Sequence, residues 1–108
     1  MQNIEDEFIV LTATSEEELS REMIYRKEEM TLLLVKKILW ALDNNRDVFI
    51  YAYLQMDDER KAVGVKREDF LEALFKNVER LEEYEEYELC VEVRKWIDYL
   101  KIERDVKR

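Results

Sequence analysis

The sequence predicts an all-α protein, a small three- or four-helix bundle around a central helix at about residues 15–43. Two observations predict it. The 108-residue chain has no Pro and one Gly, Gly64, so it lacks most of the residues that punctuate turns. It is 47% hydrophobic and 42% charged, the balance expected of helices with one apolar stripe and one ionised face. That apolar content argues against disorder.

Residues 1–14 read as an acidic N-terminal arm, and 15–108 as one helical domain. Within the arm, Phe8 to Ala13 is a short apolar run, either a strand or an extended segment packed on the body. Ser15-Glu16-Glu17-Glu18 then matches a capping box, and its acids suit the positive end of a helix dipole. Leu19, Met23, Met30, Leu34 and Ala41 recur at helical spacing. Ile24, Thr31, Val35, Ile38 and Leu42 form an adjoining stripe. Leu32 to Leu42 is apolar nearly all round and should be the most buried segment.

Asp43 to Asp47 is the clearest loop. Val48 to Met56 is ambiguous. Its β-branched and aromatic residues favour a strand, whereas its lack of alternation and its helical neighbours favour a buried helix. The helix is preferred. The alternative is an α+β fold with a short hairpin at 48–65, turning at Asp57 to Lys61 with Ala62 to Val65 as partner strand. Lys66 to Glu83 is a helix with Phe70, Leu71, Leu74, Phe75, Val78 and Leu81 on one face. Tyr87 to Glu103 is another, with Tyr87, Cys90, Val91, Val93, Ile97 and Leu100 inward. No breaker separates the two. They form either a C-terminal helical hairpin or one rod of roughly 57 Å at about 1.5 Å per residue.

The functional reading starts from missing chemistry. The chain has no His and one Cys, Cys90. Without His it lacks the usual general base and the commonest metal ligand. Zinc sets, Glu-x-x-His di-iron motifs and Gly-rich phosphate loops are absent. Asp57-Asp58-Glu59 lacks the ligand spacing of a calcium loop. No cofactor is expected. Carboxylates alone could serve an orphan enzyme, but no pair is singled out. Cys90 falls on an inward face and reads as a structural thiol. A lone Cys fits a reducing compartment. The acidic start does not suit a secretory signal, and Leu32 to Leu42 is short of the roughly 20 residues that span a bilayer. The expectation is a cytoplasmic protein without membrane contact.

The net charge is −9, which disfavours direct contact with nucleic acid. Gly64 followed by a new helix suggests a helix-turn-helix, with Lys61, Lys66 and Arg67 as local positive charge. The following helix instead carries Glu68, Asp69, Glu72 and Glu79, where a reading helix needs Arg, Asn or Gln. Residues 68–98 hold eleven acids and four bases, so a basic protein partner is the better match. Among the tyrosines, Tyr51, Tyr53, Tyr84 and Tyr99 suit either a binding surface or half-buried edges of a core; Tyr87 reads as half-buried.

Residues 85–100 carry Glu85-Glu86-Tyr87-Glu88, then Cys90, Arg94, Ile97 and Leu100 at helical spacing. This stretch resembles the UVR motif, a helical hairpin of excision-repair and Clp-associated proteins. Lys95 and Val91 depart from the family's usual Asp and Ala. The resemblance implies a hairpin that pairs with another helical hairpin, with Tyr87, Arg94, Ile97 and Leu100 at the seam. The expectation is therefore a small acidic helical protein–protein interaction module, an adaptor or regulator without catalysis, forming a homodimer. The alternative is an acidic nucleic-acid mimic, such as a phage-encoded antagonist of a nucleic-acid-binding enzyme.

Overall fold

The computed structural model describes residues 4–106. Its fold is α+β: four helices and a three-stranded mixed sheet. The all-α bundle expected from the sequence is overturned. A 3-10 turn at Ile4–Asp6 leads into β1 (Ile9–Ala13). Helices α1 (Glu16–Tyr25) and α2 (Lys27–Asp43) cross to β2 (Val48–Met56), which turns back into β3 (Glu59–Lys66). A second 3-10 turn, Arg67–Asp69, opens α3 (Phe70–Glu83), and α4 (Tyr87–Val106) follows. The sheet order is β1-β2-β3, with β1 parallel and β3 antiparallel to β2.

Val48 to Met56 is a strand, not a helix, and the α+β alternative gives the right class. The misreading has a local cause. The register shifts between Ile50 and Ala52, so Tyr51 is an extra residue in the ladder. Phe49 and Ala52 are both buried although they lie three apart. That bulge erases the alternation by which a strand is recognised. Opposite it lies Gly64, where an added Cβ would sit 3.2 Å from the Phe49 carbonyl oxygen. The hairpin turns on Asp57-Asp58, with Asp57 at φ 52° as the turn requires, and β3 begins at Glu59. The residues read as an arm supply β1: Ile9, Leu11 and Ala13 are buried, while Phe8 and Val10 face out.

The helix expected over 15–43 is broken at Arg26, with no Pro or Gly to cause it. Arg26 donates to the Val10 carbonyl at 2.9 Å and holds both oxygens of Glu29. The break lets α1 lie against β1 while α2 packs on β2 and α3. The Ser15 cap is as expected: its hydroxyl accepts from the Glu18 N–H at 3.2 Å.

The ends of α2 and α3 each close in a Schellman motif. At α2, Arg46 N–H donates to the Ala41 carbonyl and Asn45 stands at φ 54°. At α3, Glu86 N–H donates to the Leu81 carbonyl and Glu85 stands at φ 61°. The second of these makes 66–103 a hairpin rather than a rod. The main core joins α2, α3, α4 and Phe49; a smaller one holds Ile9, Leu11 and Ala52.

Candidate interaction surfaces

The α3–α4 hairpin carries the residues singled out by the sequence, and the structure separates them. Ile97 and Leu100 are buried against α2 and α3, in the seam. Arg94 is exposed and forms an ion pair with Glu82 across the hairpin. Tyr87 is 62% exposed and faces outward. The four do not form one patch.

The periodicity of α4 explains this. Cys90, Val93, Ile97 and Leu100 form its inward face. A second apolar set, Tyr87, Val91, Ile102 and Val106, lies on a different helical face, and its members are 53–77% exposed. Sequence reasoning assigned Tyr87 and Val91 inward because they neighbour the true core positions. Ile102 and Val106 went unnoticed; they repeat the four-residue spacing of Tyr87 and Val91 beyond the exposed Lys95 and Asp98. A soluble helix normally keeps one apolar stripe.

The closed end of the hairpin is acidic. Glu79, Glu82, Glu83, Glu85, Glu88 and Glu92 are all exposed. Of the neighbouring bases, Arg94 is engaged with Glu82 and Lys76 with Glu72. Tyr87 and Val91 sit within this negative field. At the open end, a groove of about 830 Å³ runs between α3 and α4. Leu71, Phe75 and Leu100 supply its apolar lining, with the Lys101 ammonium 5.5 Å from the Phe75 ring centre. Arg67 closes on Glu103 at 3.4 Å.

Lys37 is buried, and its ammonium donates to the carbonyls of Ile50 at 2.7 Å and Glu5 at 3.3 Å. It serves the bulge, supplying a donor where the ladder is irregular. Burial pushes it below the ordinary lysine range, against the opposing pull of Glu7, Asp6 and Glu5. Cys90 is buried with its thiol 3.9 Å from the Val78 carbonyl; burial, then Glu86, raises its pKa, which disfavours the nucleophilic thiolate. Among the described residues no group of three or more acids and thiols is placed to hold a metal ion, and no helix is long and apolar enough to cross a membrane. Comparison with protein-family models, curated proteins and solved structures returns no match, so the likeness of residues 85–100 to the UVR motif rests on those residues alone.

Proposed function

We propose that this is a non-catalytic protein–protein interaction module, an adaptor or regulator in the cytoplasm, whose α4 docks a basic amphipathic helix of a partner protein. One observation carries the reading. Tyr87 and Val91 expose an apolar pair on α4 flanked by the carboxylates of the hairpin turn, and Ile102 and Val106 expose a second pair further along the helix. Helix-to-helix recognition uses anchors four residues apart, as within each pair, with charge selecting the partner. Tyr is also a favoured anchor residue.

The antagonist reading draws on the same carboxylates, which would stand in for phosphates in a basic cleft. The two differ in what holds the complex. An apolar contact survives salt, whereas a phosphate mimic releases steeply as salt rises. The experiment is recovery of partners on wild-type, Tyr87→Ala and Val91→Asp baits at low and high salt. A stoichiometric basic partner, retained at high salt and lost from both variants, is the expected result. A partner that leaves at high salt and itself binds nucleic acid transfers the assignment to the antagonist. A partner bound equally by all three baits overturns the role of α4.

A further inference from the structure

The two edges of the sheet are treated differently. On β1 the outward carbonyl of Val10 is covered by the Arg26 guanidinium. On β3 nothing equivalent occurs. The turn Asp57-Asp58 closes on the pair Met56–Glu59, so the odd-numbered residues of β3 bond to β2. Arg67 N–H, donating to the Asp47 carbonyl at 2.7 Å, keeps the same parity. The N–H and C=O groups of Arg60, Ala62 and Gly64 therefore point away from the sheet. Among the described residues, no hydrogen bond from outside the sheet reaches them. An edge of this length is a template for another strand.

We propose that β3 pairs antiparallel with β3 of a second copy about a two-fold axis at Ala62, giving a continuous six-stranded sheet. Outward groups can only pair even-numbered with even-numbered residues. Of the registers that keep most of the strand paired, the axis falls at Lys61, Ala62, Val63 or Gly64, and the first sets Lys61 against its own copy. An axis at Val63 sets Arg60 opposite Lys66, and one at Gly64 sets Lys61 opposite Arg67; both oppose like charges. The axis at Ala62 avoids this. Arg60 then faces Gly64, which has no side chain to obstruct it, Lys61 faces Val63, and Lys66 comes level with Asp58. Of these registers it alone sets no like charges opposite each other. A two-fold contact of this kind is closed and self-limiting. The inference is independent of the α4 reading.

Light scattering on wild-type protein should give twice the 13.3 kDa chain mass. Ala62→Pro removes one outward N–H and leaves the β2–β3 bonds in place. It should give a folded monomer by circular dichroism, with dissociation at least tenfold easier than wild type. Ala62→Cys in a Cys90→Ala background supplies a second measurement. Paired residues at the axis stand about 5.5 Å apart, within disulfide reach, so mild oxidation should give a covalent dimer. Ser20→Cys in the same background should not. A wild-type monomer at high micromolar concentration overturns the proposal. So does a dimer that survives Ala62→Pro and fails to cross-link through Ala62→Cys, or one abolished by Val91→Asp instead.

Discussion

Lys37 shows how one residue couples an irregular backbone to pH. It is 2% exposed, and both carbonyls it serves lie outside its own helix. Because burial lowers its folded pKa from the ordinary value of 10.5, the unfolded chain holds the proton to higher pH. Between the folded value and 10.5 the unfolded state binds more protons, so this group makes stability rise with pH. Lys37→Met keeps the bulk of the side chain but leaves the Ile50 carbonyl without its donor. It should cost about 1–3 kcal/mol at neutral pH. Wild type's advantage over the variant should widen on going to alkaline pH, as read by urea unfolding of the pair. An advantage that stays flat would show that Lys37 titrates like a solvated lysine, and one that shrinks would show that the fold raises its pKa instead.

At the scale of elements, the helical hairpin depends on a residue in an uncomfortable conformation. Glu85 ends α3 at φ 61°, where a β-carbon costs about 1–2 kcal/mol. Glu85→Gly relieves that cost and returns part of it as unfolded-chain entropy. The net expectation is a gain of about 1 kcal/mol, seen as a higher melting temperature. Asn45→Gly should gain less, because Asn already tolerates φ 54°. Equal gains at both sites would count against the strain at Glu85. Such turns also mark the limit of what the sequence makes legible. Helices α3 and α4 were readable because their apolar spacing is regular over three turns or more. The turn between them was not, because Glu85 is no usual left-handed residue. Strand β2 was obscured by the bulge at Tyr51, and the break at Arg26 by its dependence on Val10, sixteen residues away. The exposed apolar set of α4 was half legible. Tyr87 was named, but Ile102 and Val106 only gain meaning once the inward face is known.

For the whole molecule, the question is whether two cores behave as one. The larger joins α2, α3 and α4 with Phe49, and both tryptophans, Trp40 and Trp96, pack against it. The smaller holds Ile9, Leu11 and Ala52 under α1 and α2. Two links bind them. Tyr51 packs against both clusters, and the bulge beside it lets Phe49 and Ala52 of the same strand serve different cores. Helix α2 runs over both, contributing Ile38 and Leu42 to one and packing Met30 and Leu33 on the other. Neither cluster can lose β2 or α2 and keep its cover, so the chain should unfold in a single step. Leu11→Ala tests this from the side that carries no tryptophan. Leu11 is fully buried, and its truncation should cost about 3 kcal/mol. The midpoint read by tryptophan fluorescence should fall as far as that read by far-ultraviolet circular dichroism. If the fluorescence midpoint holds while the dichroism transition splits, β1 and α1 form a separable unit and the α2–α4 core stands without them.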